Sequence, residues 1–271
     1  MPVARQCFFA PNRNAFGGTA IAGGSDAPKC VIPSLSEICL MNSLAYFDIQ
    51  VINLSSRTDR REEFGRQLSA IGMSYADVRL FSAVRPEGAN GFPSVGTLGC
   101  FLSHLGALRG AEPGRPALIC EDDLNFSGDF LRRVDAVVDR LRRAEWGMFY
   151  GGHDTFGEPV HDMEPFRSDK GIRFAHMIGF NAGIVPRVVA YLEAILGRGG
   201  GHPTGGPMHV DGAYSWFRRD NPDVVTRLAL PQLGIQRRSR TDVHDLRWHD
   251  RTPLIAQALT VARRLGNRLQ R

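Results

Sequence analysis

The sequence predicts an α/β protein, because short strand-like runs of apolar residues alternate along the chain with segments of helical periodicity. Its 271 residues suffice for one large domain or two small ones, and a hydrophobic fraction of 43% is ordinary for a soluble globular protein. No apolar run approaches the roughly 20 residues that span a bilayer, which argues against an integral membrane protein. Five cysteines without a Cys-x-x-Cys pair argue against a zinc ribbon or a disulfide scaffold and favour reduced thiols in a cytosol.

The first half of the predicted fold contains two strand–helix pairs. A strand is predicted over residues 47–54, and the helix after it has apolar residues at positions i, i+4 and i+7. These residues are Phe64, Leu68 and Ile71. A second strand is predicted over residues 75–83 and a second helix over residues 98–109. This alternation is what an α/β sheet requires.

The second half is organised around a wholly apolar run at residues 117–120, which is typical of a central buried strand. The next helix is indicated by apolar residues that share one face. They are Phe130, Val134, Val137, Val138 and Leu141. A further strand is predicted over residues 146–150. Residues 197–207 form a loop rich in Gly and Pro, which we interpret as a mobile lid or a disordered excursion.

The two ends of the chain differ from the domain expected over residues 41–250. Residues 1–40 are Gly-rich without strand or helix periodicity, and we interpret them as disordered or as a mis-called start upstream of Met41. The formal net charge of +5 is concentrated at the other end. Residues 251–271 predict a basic amphipathic helix, which either lies on an anionic membrane or docks on the chain's own sheet.

The strongest candidate for chemistry is the acidic triplet Glu121, Asp122 and Asp123, which follows the predicted central strand. Ligands of open α/β sheets bind beyond the carboxyl ends of the strands. Carboxylates there suit Mg²⁺ or Mn²⁺, and such a metal would neutralise charge on a diphosphate leaving group. The alternative is a solvated loop in which an acid caps the helix that begins near Ser127.

Arginines at the turn after the first strand are a second candidate. Arg57 and Arg60 are three residues apart and can face one side of a helical turn, where Arg suits phosphate contacts or stacking on a base. The alternative is that they pair with acids of the same helix on a solvated face. Those acids are Asp59, Glu62 and Glu63.

Two further positions carry polar groups that a ligand could use. Ser103 and His104 follow the small residues Gly99 and Cys100 and could bond a ribose or a base, although a lone histidine is more often satisfied in packing. Asp211 begins an apparent helix, so it is either a carboxylate with a chemical role or simply an N-cap. The sequence contains no Walker-type phosphate loop, no Gly-x-Ser-x-Gly elbow and no His-Glu-x-x-His.

Taken in order, these motifs resemble glycosyltransferase family 25, the lipopolysaccharide-type and collagen galactosyltransferases. The resemblance covers about residues 46–245. It rests on Val51-Ile52-Asn53-Leu54 with Arg57, Asp59, Arg60 and Arg61, on Gly99-Cys100 with Ser103-His104, on Ile119-Cys120-Glu121-Asp122-Asp123, on Asn181-Ala182-Gly183-Ile184-Val185, on Val210-Asp211 and on the segment 231–242.

The resemblance implies a GT-A-like fold with a mixed central sheet flanked by helices, a UDP-sugar donor and inversion at the anomeric carbon. The acidic triplet becomes the counterpart of an Asp-x-Asp motif, with Asp123 as the main ligand of Mn²⁺ or Mg²⁺ and Glu121 as the second. Asp122 can exchange roles with either, and Asp211 is the predicted general base. The residues expected to line the donor pocket are Asn53, Leu54, Arg57, Arg60, Ser103, His104, Glu121 and Asp122.

The predicted function is metal-dependent transfer of a hexose, expected to be galactose, from a UDP-sugar to a hydroxyl of a glycan or lipid-linked acceptor in cell-surface polysaccharide or lipopolysaccharide biosynthesis. The expected location is the cytoplasm or the inner face of the membrane, with residues 252–271 contacting anionic lipid. No nucleic acid partner is expected. Two alternatives stay open, which are a catalytically silent protein that binds a nucleotide sugar or glycan, and a metal-dependent phosphohydrolase.

Overall fold

The computed structural model describes residues 43–237, so the predictions for residues 1–40 and 251–271 lie outside the described residues. The strands are β1 (Asp48–Asn53), β2 (Arg79–Ser82), β3 (Ala117–Glu121), β4 (Leu124–Phe126), β5 (Met148–Tyr150), β6 (Pro165–Phe166), β7 (Met177–Phe180), β8 (Thr226–Leu228) and β9 (Gly234–Gln236). The helices are α1 (Thr58–Ala70), α2 (Val95–Arg109), α3 (Phe130–Arg143), α4 (Val185–Leu196) and α5 (Val210–Asp220). Within this described range, none of the helices has the length and apolar character needed to cross a membrane.

A seven-stranded sheet forms the centre of the described domain, in the order β2-β1-β3-β7-β5-β8-β6. β1 pairs in parallel with β2 and β3, and β5 pairs in parallel with β8. β7 is antiparallel to both β3 and β5, and β6 is antiparallel to β8. The sheet is therefore mixed, and the predicted α/β class is confirmed. β4 and β9 form a separate antiparallel pair.

Helices cover both faces of the sheet because its buried strands are apolar on both sides. Val51 and Leu118 belong to the apolar cluster that contains α1 and α3. Their neighbours Ile52 and Ile119 belong to the cluster that contains α2, α4 and α5. Successive side chains of a strand point to opposite faces, so each pair contributes to both clusters. This explains why the run at residues 117–120 is wholly apolar.

Most predicted helix faces are confirmed, and the differences lie at element ends. The apolar residues predicted for α1 and α3 are all buried. α2 begins three residues earlier than predicted, because the Ser94 hydroxyl accepts the Thr97 N–H and caps the helix. The second strand is only four residues long, because Asp77 accepts bonds from the Ser74 N–H and hydroxyl and holds the preceding segment in a turn.

The loop at residues 197–207 is held by one of its own arginines. The Arg198 guanidinium donates to the carbonyl oxygens of Thr204 at 2.6 Å and Gly205 at 3.1 Å. Gly206 lies so close to Gly199 that an added Cβ would stand 2.2 Å from the Gly199 carbonyl oxygen. Only glycine fits there without displacing backbone. The interpretation of this loop as a lid stays a prediction.

Candidate active site at the carboxyl end of β3

Strand pairing brings the first two candidate groups together. β1 and β3 are parallel neighbours, with Ile52 opposite Glu121, so both strands end at the same edge of the sheet. α1 starts shortly after β1, and the Arg57 N–H donates to the Leu54 carbonyl oxygen at 2.7 Å in the connecting turn. The half-buried Leu54 therefore shapes the turn that presents the first residues of α1 to the acidic triplet.

The three acids of the triplet are separated by the alternation of the strand. Side chains two residues apart in a strand point to the same face of the sheet. Glu121 therefore points, like Ile119, to the α2 side, and Asp122 points, like Cys120, to the α1 side. Asp122 and Asp123 are both buried, at 5% and 7% exposure. The solvated-loop alternative is wrong, since the N-cap of α3 is Asp129 and the triplet leads into β4.

Asp122 is paired through both of its carboxylate oxygens. The Asn53 side-chain amide donates to Oδ2 at 2.8 Å, and the Arg60 guanidinium donates to Oδ1 at 2.8 Å. Burial raises the pKa of Asp122, and the charge of Arg60 and the bond from Asn53 oppose that rise. We refer to Asn53, Arg60 and Asp122 as the Asp122 network.

The alternative that these arginines pair with acids of their own helix is wrong for Arg60 and is supported for Arg57. The Arg60 guanidinium lies 2.8 Å from Asp122 and 3.8 Å from Asp123. Arg57 forms a two-pronged pair with Asp59, at 2.9 and 2.8 Å, and this bond holds the pKa of Asp59 down at about 2. The predicted phosphate contact of Arg57 stays a prediction.

Asp123 differs from Asp122 in that one of its oxygens is not paired. Oδ2 accepts a bond from the Gln236 amide at 3.3 Å. Oδ1 is buried and has no hydrogen-bond partner among residues 43–237. Burial, followed by the negative charge of Glu121, raises the pKa of Asp123 to about 7, while the charge of Arg60 opposes the rise. A buried carboxylate oxygen without a donor is a position at which a divalent cation fits.

Glu121 is held on the other side by α2. The Nε2 of His104 lies 3.1 Å from Glu121 Oε1, and its Nδ1 lies 3.2 Å from the Tyr214 hydroxyl on α5. Burial opposes ionisation of Glu121, but the bond and charge of His104 hold its pKa below the usual value. His104 is fully buried and each of its ring nitrogens faces a partner, so its predicted contact with a nucleotide stays a prediction.

Ser103 is also fully buried, and its hydroxyl is already bonded. It donates to the Gly99 carbonyl oxygen at 2.6 Å and accepts the Val84 N–H at 2.8 Å. These bonds hold the segment after β2 against α2. A nucleotide would reach the hydroxyl only by exchanging one of them, so its predicted ligand contact stays a prediction.

Asp211 lies in the first turn of α5, but it is not the cap. The N-cap is His209, so the N-cap alternative for Asp211 is wrong. One Asp211 oxygen accepts the Gly212 N–H at 2.8 Å, and the other accepts the Phe174 N–H at 3.1 Å. The charge of Asp211 also contributes to raising the pKa of Cys100, after burial and Glu121. Asp211 therefore lies near enough to Cys100 for its charge to act on that thiol.

Beside Asp211 lies an exposed stack of two phenylalanines and an arginine. Phe156 is 62% exposed and Phe174 is 37% exposed. The Arg173 guanidinium lies 4.5 Å from the centre of the Phe156 ring and 5.7 Å from that of Phe174. Both phenylalanines have a positive φ, of 55° and 72°, which is rare and costly for bulky residues. Such backbone strain clusters at functional sites.

Comparison with known proteins gives relatives with one kind of name. No family model matches the chain. Over 134 residues it is 31% identical to a protein of Aedes aegypti named glycosyltransferase 25 family member, with 41% of this chain and 22% of the relative covered. Over 149 residues it is 28% identical to procollagen galactosyltransferase 1-A of Xenopus laevis, with 44% and 24% covered. The predicted resemblance to glycosyltransferase family 25 is confirmed. The chain spans less than a quarter of the length of these two curated relatives.

The fold adds groups near the acidic triplet to which the sequence motifs assign no role. The Arg237 guanidinium donates to the Asp122 carbonyl oxygen at 2.8 Å and to the Asn125 side chain at 3.3 Å. The His176 carbonyl oxygen accepts the Glu121 N–H at 3.0 Å. Arg237 follows a three-residue strand, β9, which is too short to show a pattern. The sequence gives one indication that Tyr214 lies near the site, which is its position one helical turn after Asp211.

Proposed function

We propose that this protein is a metal-dependent inverting glycosyltransferase with a GT-A-like fold, which transfers galactose from UDP-galactose to a hydroxyl of a glycan or lipid-linked acceptor. The similarity to family 25 supports the reaction class. The observation that carries the proposal is Asp123, whose buried Oδ1 has no hydrogen-bond partner within the described chain, at the end of a central strand. A buried, unpaired carboxylate oxygen is costly and suggests a ligand.

The donor atoms at this point fit a hard divalent cation. Asp123 and Glu121 are carboxylates, the ligand type that Mn²⁺ and Mg²⁺ prefer. When bound there, such an ion would neutralise the charge that develops on the UDP leaving group. Asp122 is the weaker candidate ligand, because Asn53 and Arg60 already occupy both of its oxygens. Its proposed role is to fix the acidic turn.

The proposed diphosphate position lies beside the Asp122 network. The acidic triplet alone would repel a diphosphate, and Arg60 and Arg237 reduce that repulsion from two sides. Arg57 is proposed to contact the nucleotide by exchanging its surface pair with Asp59. Exposed ion pairs contribute little to stability, so this exchange costs about 1 kcal/mol or less.

Asp211 is the proposed general base. The acceptor hydroxyl would lose its proton to Asp211 as its oxygen bonds to the anomeric carbon, while the bond from that carbon to UDP breaks and its electron pair leaves with the diphosphate. Two backbone N–H groups orient the carboxylate. An acceptor sugar is proposed to approach over the exposed rings of Phe156 and Phe174, beside this group.

The proposed cellular setting is the cytoplasm and the inner face of the membrane, in cell-surface polysaccharide or lipopolysaccharide biosynthesis. Its support is the basic sequence of residues 252–271, which lie outside the described range. Co-sedimentation of the full chain with anionic and neutral vesicles at low salt tests this part. Binding to anionic vesicles that is lost on deletion of residues 252–271 supports it, and no binding to anionic vesicles contradicts it.

The reaction is tested by following UDP release from UDP-galactose, UDP-glucose and UDP-N-acetylglucosamine, with Mn²⁺ and with EDTA. We expect slow UDP release that requires the metal and is fastest with one of the three donors. Thermal stabilisation by a UDP-sugar without any release would favour the catalytically silent alternative. Release of inorganic phosphate in place of intact UDP would favour the phosphohydrolase.

A further inference from the structure

A second set of metal-type donors lies next to the proposed donor site. Cys100 and His104 are four residues apart on α2 and therefore share one face of the helix. Glu121 reaches that face from the end of β3. Glu121 Oε1 lies 3.9 Å from the Cys100 sulfur and 3.1 Å from His104 Nε2, and the three donor atoms all lie within 4.8 Å of one another.

These distances suit a tetrahedral ion. Zinc binds sulfur at about 2.3 Å and nitrogen or oxygen at about 2.0–2.2 Å, which places the donor atoms of a tetrahedral site roughly 3.3–3.6 Å apart. The observed separations of 3.1 and 3.9 Å lie on either side of that range. The three donor atoms lie within 4.8 Å of one another, so side-chain rotation is needed to bring them to tetrahedral spacing around one ion.

The surroundings of the histidine also suit a metal ligand. A histidine that binds a metal through one nitrogen usually has its other nitrogen bonded to a fixed partner, which sets the ring orientation. His104 Nδ1 has such a partner in the Tyr214 hydroxyl, and Nε2 points to Glu121. His104 is fully buried, whereas Cys100 as a residue is half-buried.

We propose that Cys100, His104 and Glu121 form a binding site for Zn²⁺, which adjoins the Mn²⁺ or Mg²⁺ position proposed at Asp123 and shares Glu121 with it. The argument rests on ligand chemistry. A thiolate and an imidazole favour zinc, whereas Mg²⁺ and Mn²⁺ favour oxygen ligands. The thiol proton must leave when the metal binds. Burial and the nearby carboxylates hold the pKa of Cys100 well above its usual value, so binding is best measured at pH 8.

The test uses Co²⁺, which replaces zinc and gives a near-ultraviolet charge-transfer band when a thiolate binds it. The full-length protein, freed of metal by EDTA, is titrated with Co²⁺ and followed by absorbance. We expect a saturable band that is absent in Cys100→Ser and retained in Cys120→Ser, which is the matched control because Cys120 is the neighbouring buried thiol on β3. The band should also persist when Cys7, Cys30 and Cys39 are replaced by Ser.

Competition experiments establish which metal the site prefers. One equivalent of Zn²⁺ should remove the Co²⁺ band, and excess Mg²⁺ should not. Tyr214→Phe should weaken Zn²⁺ binding about 10-fold or more, since it removes the outer partner of His104. Absence of the band in the wild type, its persistence in Cys100→Ser, or its removal by Mg²⁺ would each overturn the proposal.

A measurement on the wild type alone covers the case in which Cys100→Ser fails to fold. Iodoacetamide labelling of the Cys100 peptide, read by mass spectrometry, should slow at least 10-fold with stoichiometric Zn²⁺, because a bound thiolate is not free to react. Equal labelling with and without Zn²⁺ would contradict the site. Neither assay involves a UDP-sugar, so the outcome is independent of the proposed glycosyl transfer.

Discussion

The Asp122 network and the environment of Asp123 differ in how completely their polar atoms are paired. Both carboxylates are buried in the same turn, yet Asp122 has a donor on each oxygen, whereas Asp123 has a donor only on Oδ2 within the described range. Strand alternation sends Glu121 toward α2 and Asp122 toward α1. The comparison suggests that Asp122 stabilises the turn and that Asp123 is retained at a cost for a ligand.

The largest effect is expected from removing the cation of the Asp122 network. Arg60→Ala leaves Asp122 buried with one donor, and breaking a buried ion pair costs about 3–5 kcal/mol. Denaturant unfolding should show this loss. Arg66→Ala is the matched control, because Arg66 pairs with Glu63 on the surface of the same helix and should cost less than about 1 kcal/mol. Equal losses in the two variants would contradict the structural role of the network.

Asp123→Ala, unlike Arg60→Ala, should leave the stability of the fold intact and abolish the activity. Removal of a charge-stabilising group at a reacting centre lowers turnover about 100- to 1000-fold. Metal-dependent UDP release at saturating Mn²⁺ measures this, with circular dichroism as the control for folding. Unchanged turnover in a folded Asp123→Ala protein would end the metal hypothesis.

The raised pKa of Asp123 predicts that the free energy of unfolding depends on pH. Its pKa is about 7 in the folded protein and 3.8 as the reference value, so between these values the folded state binds a proton that the unfolded state does not. Stability therefore falls as pH rises from 4 to 7, by on the order of 3 kcal/mol. Asp123→Asn lacks this titration. The free energy of unfolding is measured in EDTA for the wild type and for Asp123→Asn. The wild-type value minus the variant value should decline through this pH window and level off above it. A difference that does not change with pH would contradict the raised pKa.

Asp211 is an exception to the contrast between Asp122 and Asp123. Both of its oxygens are bonded, as in Asp122, and yet it is proposed to act in the reaction as the general base. Asn has one acceptor oxygen where Asp211 serves two N–H groups, so Asp211→Asn should also lose about 1 kcal/mol of stability. We expect kcat to fall about 100-fold as well. Wild-type kcat with reduced stability would make Asp211 a structural residue, as Asp122 is.

The smallest effect is expected at Arg57. In its pair with Asp59, the Arg57 side chain is 16% exposed and the Asp59 side chain is 67% exposed. Because one partner is open to solvent, the pair should contribute about 1 kcal/mol or less to folding, so Arg57→Ala should unfold close to wild type. If Arg57 contacts the nucleotide, the variant should weaken UDP binding by about 1.5–3 kcal/mol, measured by calorimetry. Unchanged UDP affinity would place Arg57 on a solvated face.

Local patterns determined the elements and the position of the site. Apolar spacing in α1 and α3 and the apolar run before Glu121 can be read from the sequence, because burial on one face leaves a period in neighbouring residues. The position of the triplet after a central strand follows from the same pattern. These signals depend on residues close together in the chain, so they do not need the fold.

The tertiary structure decided which charges meet. Arg60 has Asp59, Glu62 and Glu63 beside it in sequence, and only the parallel pairing of β1 with β3 shows that Asp122 is its partner. Likewise, Gln236 reaches Asp123 through the pairing of β4 with β9, and His104 reaches Glu121 because α2 packs on that face. Hydrogen bonds act over about 3 Å, and a sequence pattern cannot specify which distant side chains the fold brings within that distance.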